Sequence, residues 1–299
     1  MKKLVLAGLF VLLFALPAGA TTGGTNGLLA YQAQVGKHTQ LFTIKPDGSG
    51  SRQITRLRDS DAIAAAWSPN GQRIAFARDY AVGTSREHLD IVVINADGGG
   101  LHAFGLHGLN GEPSWSPDGR HLAWGTKGGL AIANSDGSGL RQIRVARFDG
   151  SPVFSPDGQR IAFRQAGGRG ESISIVNTDG SGLRRVKTFA GGLGDKIDWS
   201  ADGSRIAYDS PSFDAPKPSN IFTMRTDGSG ARQLTHATDG KVNYGLDSWS
   251  PDGKKIAFVS NVNGSYEIYT MNANGTGSTR LTHGPEAHLA AWGTHPLNP

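Results

Sequence analysis

The chain has 299 residues, of which 43 are glycine and none is cysteine, and only 18% of its residues are charged. The glycine share is about twice the usual share of roughly 7%, and the charged share lies below the usual ~25%. Without cysteine, disulfide frameworks, zinc–cysteine sites and thiol nucleophiles are excluded. An all-helical fold is disfavoured because glycine costs nearly ~1 kcal/mol inside a helix. With 37% hydrophobic residues, the composition favours a turn-rich β protein with a substantial core.

The first twenty residues have the pattern of a secretory signal peptide. Lys2 and Lys3 precede an apolar run from residue 4 to residue 16, and Ala18-Gly19-Ala20 is typical of a cleavage site. We expect residues 1–20 to be removed and the mature chain, 21–299, to be periplasmic or secreted, without a transmembrane segment. The formal net charge of +5 includes those two lysines. The remaining mild charge is spread along the chain, and we expect no nucleic-acid partner.

The mature chain begins with part of a repeating unit. Residues 28–55 contain three predicted strands and an Asp47-Gly48 turn, but the strand that opens every later unit is missing. That strand appears at residues 287–292, which end in Trp292. We therefore predict that residues 28–55 and 287–292 form one blade between them, which joins both ends of the repeat array.

Five whole units lie between these fragments. Each begins with an anchor aromatic followed by Ser-Pro-Asp-Gly or a close variant, in which Asn70 and Ala201 are the departures. Eight residues after each anchor comes the alanine of a large-Ala-large triplet, and an Asp-Gly or Asn-Gly turn follows a third apolar run. The anchors are Trp67, Trp115, Phe154, Trp199 and Trp249.

The unit predicts four short antiparallel strands. The Ser-Pro-Asp-Gly tract is typical of a tight turn, and in the triplet large residues alternate with alanine on opposite faces. A bulky face and a small face can nest against neighbouring copies, as in a propeller. We predict an all-β, six-bladed β-propeller of four-stranded antiparallel blades, forming a single domain over residues 21–299.

Loop lengths distinguish two faces of the predicted propeller. The turns after the anchor and after the third strand are uniform, whereas the other connections vary in length. The longest of these lie within residues 78–89 and 209–220. Function is usually carried by variable loops, although loop tips also tolerate insertions without any function.

An acidic cluster is expected near the channel mouth on the variable face. Five carboxylates lie two to six residues before an anchor, on the strand that lines a propeller's channel, and three histidines lie in equivalent loops of the last units. They could bind a basic partner peptide or a cation such as Ca²⁺, or they could merely solvate a polar rim. These candidate residues are Asp61, Glu112, Asp149, Asp195, Asp247, His236, His283 and His288.

No catalytic constellation is evident in the sequence. It contains neither a G-x-S-x-G elbow nor an H-E-x-x-H pair, and the Asp-Gly-Ser-Gly tracts lack the Lys-Ser/Thr of a phosphate loop. We therefore assign no catalytic residues, and no cofactor is firmly implied.

Tracts such as Trp249-Ser250-Pro251-Asp252-Gly253, followed by Ile256-Ala257-Phe258, resemble the TolB-like, WD-like β-propeller repeat. The resemblance extends from residue 28 to residue 292 and implies a periplasmic protein that binds protein partners. Only residues 21–27 precede the first strand of the mature chain, so we expect no α/β domain of the kind that precedes the TolB propeller. We expect a monomeric, non-catalytic binding module. The alternative is a metal-dependent polysaccharide lyase or hydrolase with its site at the channel mouth, because related propellers include oligogalacturonate lyases.

Overall fold

The computed structural model describes residues 24–80, 88–106, 111–167, 170–211, 217–284 and 286–294. Within these ranges the regular structure is entirely β, arranged as six four-stranded antiparallel sheets. No helix in the described ranges is long and apolar enough to cross a membrane. The predicted signal peptide, residues 1–20, lies outside the described residues.

Each sheet is one blade, with its first strand innermost. Blade 1 contains β4 (Ser60–Trp67), β5 (Arg73–Tyr80), β6 (His88–Asn95) and β7 (His102–Ala103). Blade 2 contains β8 (Gly111–Trp115), β9 (His121–Thr126), β10 (Gly129–Asn134) and β11 (Arg141–Arg144). Blade 3 contains β12 (Phe148–Phe154), β13 (Arg160–Gln165), β14 (Glu171–Asn177) and β15 (Arg184–Phe189). Blade 4 contains β16 (Ile197–Trp199), β17 (Arg205–Ser210), β18 (Asn220–Arg225) and β19 (Arg232–Gln233). Blade 5 contains β20 (Tyr244–Trp249), β21 (Lys255–Ser260), β22 (Glu267–Asn272) and β23 (Thr279–Arg280).

The sixth, closing blade joins distant parts of the sequence. It contains β24 (Ala287–Thr294), β1 (Asn26–Val35), β2 (His38–Ile44) and β3 (Arg52–Gln53), paired in that order. In the β24–β1 pair, Leu29 lies opposite Trp292 and Ala30 lies opposite Ala291. The predicted six-bladed propeller, with one C-terminal strand added to three N-terminal strands, is confirmed.

The core lies between blades, where the small face of one sheet packs on the bulky face of the next. Ala123 of blade 2, for example, lies in one buried cluster with Ile161 and Phe163 of blade 3. The same arrangement recurs at every junction, as the alternating triplets predict. The six nested alanines are Ala30, Ala75, Ala123, Ala162, Ala207 and Ala257.

One face of the ring, which we call the turn face, is built from repeated tight turns. In blade 3, the Ser155 hydroxyl donates to Oδ1 of Asp157 at 2.5 Å and accepts the Arg160 amide at 3.0 Å. Gly158 completes the turn with φ of +69°, a conformation that favours glycine. The corresponding serine–carboxylate bonds in blades 2, 4 and 5 measure 2.6 Å, so this face is nearly the same from blade to blade.

Hydrogen bonds also join neighbouring blades around the channel. The kind of hydrogen bond depends on whether the residue directly before each anchor is apolar or polar. At two of the apolar positions, the backbone carbonyl accepts the next anchor's indole N–H, as from Trp115 to Ala66 at 3.1 Å and from Trp199 to Val153 at 3.3 Å. Where that residue is polar, its side chain accepts the next anchor's backbone amide. Ser114 accepts from Phe154, Asp198 from Trp249 and Ser248 from Trp292.

Candidate functional site at the channel mouth

The face opposite the turn face carries the connections of variable length, and we call it the variable-loop face. The hairpin between β9 and β10 is short, whereas β17 and β18 are separated by residues 211–219. Parts of the two longest predicted loops, residues 81–87 and 212–216, lie outside the described residues. The described residues at the centre of this face surround the mouth of the channel.

Two cavities share this mouth. The larger, of about 510 Å³, is lined by the apolar side chains of Ile63, Leu89 and Phe148 and by the charged side chains of Glu112, Lys127 and Asp149. The smaller, of about 250 Å³, is lined by Asp195, Asp209, Gly245, Leu246, Val259, Tyr266 and His288. Gln32 lines both cavities, so its side chain lies between them. Each cavity of the mouth therefore combines apolar side chains with two carboxylates.

A third cavity, of about 130 Å³, lies in the channel toward the turn face. Its walls include the anchors Trp67, Trp115, Trp249 and Trp292. Glu112, Lys196, Asp198 and Asp247 also line it. The channel therefore holds three carboxylates and one ammonium group, and negative charge predominates when all four are ionised.

Asp61 connects blade 1 to the closing blade at the rim of the mouth. Its Oδ1 accepts the Thr39 amide at 3.0 Å and lies 3.0 Å from Nδ1 of His38. Both partners belong to this chain, so the Asp61 carboxylate stabilises the junction between these blades.

Asp149 and Asp195 meet around Arg164. The Arg164 guanidinium lies 3.1 Å from Oδ2 of Asp149 and 3.6 Å from Oε2 of Glu171. It also donates to the backbone carbonyl of Asp195 at 3.2 Å. Asp195 is exposed and lines the smaller cavity, whereas the carboxylate of Asp149, which is also exposed, pairs with Arg164.

Glu112 and Asp247 lie inside the channel. Glu112 accepts the backbone amide of Ser151 in the next blade, and burial raises the pKa of its carboxyl group. Asp247 is 2% exposed, and burial raises its pKa to about 7. The Lys196 ammonium and the Ala290 backbone amide oppose this shift. Burial also raises the pKa of Asp198 to about 7, although the Trp249 and Trp199 amides oppose the shift.

The three candidate histidines separate in space. His288 lines the smaller cavity, where its ring lies 5.2 Å from that of Tyr266 and its Nε2 lies 3.7 Å from Glu286. His236 and His283 are exposed and line none of the three cavities. The eight candidate residues therefore do not form one ring.

Sequence reasoning missed several residues of the mouth. Gln32, Arg164 and Asp209 each follow a large-Ala-large triplet directly. In these three units the position carries a polar side chain at the variable-loop end of the second strand, whereas the other three units have Ala77, Gly125 and Val259 there. Gln32, for example, accepts the amide of Ala64 in the next blade at 3.1 Å. A comparison of that single position across the six units is the signal that would have found them.

Potential metal ligands are dispersed in the described ranges. No group of three or more histidine, aspartate or glutamate side chains there is arranged to hold a metal ion. The carboxylates divide instead among the rim, the smaller cavity and the channel.

The family comparison agrees with this geometry. The model of the TolB beta propeller domain matches residues 28–243 and, in a second alignment, residues 125–294. The chain belongs to the TolB β-propeller family. The predicted TolB-like resemblance is confirmed.

Individual relatives are similar to parts of this chain. The Tol-Pal system protein TolB of Alcanivorax borkumensis is 33% identical over 78 residues, which are 26% of this chain and 17% of that protein. The TolB structure from Acinetobacter baumannii has a TM-score of 0.73 at 19% identity and covers 89% of this chain and 66% of that one. The matched regions span less than two thirds of either TolB protein.

An enzyme of similar fold is also found. Oligogalacturonate lyase from Vibrio parahaemolyticus has a TM-score of 0.54 at 15% identity, covering 77% of this chain and 71% of the lyase. At such identities, likeness to solved structures indicates the shared fold alone.

Proposed function

We propose that this TolB-family propeller is a non-catalytic binding module of the periplasm or cell envelope. In this proposal, a protein or peptide partner docks on the variable-loop face over the channel mouth. The observation that carries the proposal is the mouth itself, where two neighbouring cavities of about 510 and about 250 Å³ each combine apolar and charged side chains. Apolar anchors surrounded by charged groups are typical of protein-binding surfaces.

The location rests on two supports. Residues 1–20 have the pattern of a signal peptide, and a TolB protein of the Tol-Pal system is among the relatives. Fusion of residues 1–20 to a phosphatase that is active only after export tests the location directly. An inactive fusion would contradict it.

Capture from envelope extract tests the binding face. Lys127 is exposed on the short hairpin at the mouth, and Lys254 is exposed on the turn face. We expect Lys127→Glu to weaken capture of a specific protein, and the matched variant Lys254→Glu to retain it. Equal capture by both variants and the wild type would place the binding surface elsewhere.

The lyase alternative and a Ca²⁺ ion in the channel share one test. Asp198, Asp247 and Glu112 are the channel carboxylates that would approach a cation, and the Lys196 ammonium already supplies positive charge among them. The binding-module proposal therefore expects the melting temperature to be insensitive to millimolar Ca²⁺ and Mn²⁺. A clear rise that is lost in Asp247→Asn would favour the metal-dependent alternative.

A further inference from the structure

Asp209 has an unusual environment in the smaller cavity of the mouth. It lies on β17 and is 1% exposed, and its Oδ1 has no hydrogen-bond partner among the described residues. Its Oδ2 accepts a long bond of 3.3 Å from the Ser219 hydroxyl, and the Leu246 backbone amide also lies close enough to the carboxyl group to oppose the rise in its pKa. A buried carboxylate oxygen without a partner is costly, so a ligand that satisfies it would gain considerable binding energy.

The carboxyl group of Asp209 packs directly against Gly194. A Cβ added to Gly194 would lie 1.5 Å from Oδ2, and the Gly194 amide donates to the Asp209 carbonyl at 2.9 Å. The Asp209 side chain therefore occupies the room that any other residue at position 194 would need. It faces a cavity that Asp195, Tyr266 and His288 also line.

Two carboxyl groups, those of Asp195 and Asp209, line this cavity. Burial raises the pKa of Asp209 well above its usual value, and the charge of Asp195 raises it further. Arg164 opposes this shift, but its guanidinium already contacts Asp149 and Glu171. The raised pKa favours the protonated, neutral form of Asp209, and a cation bound in the cavity would stabilise the ionised carboxylate.

The cavity also suits the shape of a basic side chain. Its volume of about 250 Å³ exceeds that of a single water molecule several-fold. Tyr266 and His288, with ring centroids 5.2 Å apart, form an aromatic wall. Tyrosine rings attract ammonium and guanidinium groups through their faces.

We propose that the cavity lined by Asp195 and Asp209 is the pocket for a lysine or arginine side chain of the protein partner. This inference rests on the proposed function and specifies the partner's chemistry at that site. The cation would contact Oδ1 of Asp209 at the base of the pocket, with Asp195 at the entrance and Tyr266 beside its alkyl chain.

Side-chain analogues test the pocket without a known partner. We would titrate n-butylammonium and n-butylguanidinium into the full chain by NMR, with n-butanol as the uncharged probe. We expect saturable binding of at least one cation, no saturable binding of butanol, and a loss of about tenfold or more in affinity in Asp209→Asn. Asp195→Asn, at an exposed position, should weaken binding by about threefold.

The matched control is Asp227→Asn on the turn face. Asn274 holds the equivalent place in blade 5 and caps the same turn, so the substitution should leave cation binding unchanged. If Asp209→Asn fails to fold, Asp195→Asn together with the butanol comparison decides the question. No binding of either cation, or equal binding in wild type, Asp195→Asn and Asp209→Asn, would overturn the inference.

Partner capture separates this inference from the proposed function. If the Lys127→Glu variant loses its partner but neither cation binds, the result supports the binding module and contradicts the pocket for a basic side chain. If the cations bind as expected but no protein is captured through the mouth, the result contradicts the proposed function. The cavity would then be a site for small organic cations.

Discussion

Oδ2 of Asp198 in blade 4 accepts a 2.7 Å hydrogen bond from the backbone amide of Trp249 in blade 5. Its Oδ1 accepts the amide of Trp199 at 2.9 Å. One carboxyl group therefore satisfies two amides on the inner strands of adjacent blades, and it does so inside the channel. The same side chain serves both channel charge and blade packing.

Removing this carboxyl group should loosen the junction. We expect Asp198→Ala to lower the free energy of unfolding by about 1–3 kcal/mol, because the Trp249 amide loses its acceptor in a buried place. Asp198→Asn keeps an acceptor oxygen and should cost less. Urea unfolding at pH 6 measures both variants, and an alanine variant as stable as the asparagine variant would contradict the assignment.

Asp247 should make stability depend on pH. Its pKa is about 7 in the folded protein and about 3.9 in an unfolded chain. The folded state therefore holds the proton more tightly, and stability falls as pH rises from about 4 to about 7, by on the order of a few kcal/mol. We expect Asp247→Asn to flatten the decline in unfolding free energy between pH 5 and pH 8.

Asp227 provides the control for that pH profile. Hydrogen bonds from Ser229 lower the pKa of Asp227, so any contribution from Asp227 is lost only as pH falls toward and below its usual titration range. Asp227→Asn should leave the slope between pH 5 and pH 8 unchanged. A slope that Asp247→Asn does not alter would show that other groups cause the decline.

Gly125 should be intolerant of a side chain. A Cβ at this position would lie 2.4 Å from Cε1 of Phe148 in the next blade. We expect Gly125→Ala to destabilise the fold by about 1–3 kcal/mol through overpacking. Phe148→Leu should relieve part of this cost, and thermal unfolding of both single variants and the double variant measures the coupling. Strictly additive effects would contradict direct contact.

The closing strand should be required for the whole ring. Deletion of residues 287–299 would expose the edge of β1. It would also remove the 2.9 Å hydrogen bond that the Trp292 backbone amide donates to the Ser248 hydroxyl. We expect the shortened chain to lose cooperative unfolding and to aggregate through the open edge. Size-exclusion chromatography and calorimetry would detect this, and a monomer with a sharp transition would refute it.

The fold could be predicted because its determinants are local and repeated. The anchor at Trp115, the turn to Gly119 and the triplet around Ala123 each specify a strand or a turn without reference to distant residues. Their recurrence then specifies the ring, since each unit can bury its faces only against another copy.

The candidate site could be predicted only in part. Counting back from the anchors finds Asp195, and the equivalent-loop argument finds His288, both of which line the mouth. The same loop argument also selects His236 and His283, which do not line the described cavities. Asp209 was missed because it lies on the second strand. Its role depends on the neighbouring loops that cover it. Contacts between different units cannot be read from the sequence of one repeat.

Closure of the ring also has a kinetic consequence. Leu29 and Trp292 lie side by side in one sheet although they come from opposite ends of the described chain, so their pairing is the least local step in assembly. Such contacts form slowly because loop-closure entropy must be overcome first. Blades 1 to 5 each form from strands that are close in sequence, whereas the ring closes only after β24 pairs with β1. The pairing of β24 with β1 should therefore govern both the folding rate and the unfolding rate of the propeller.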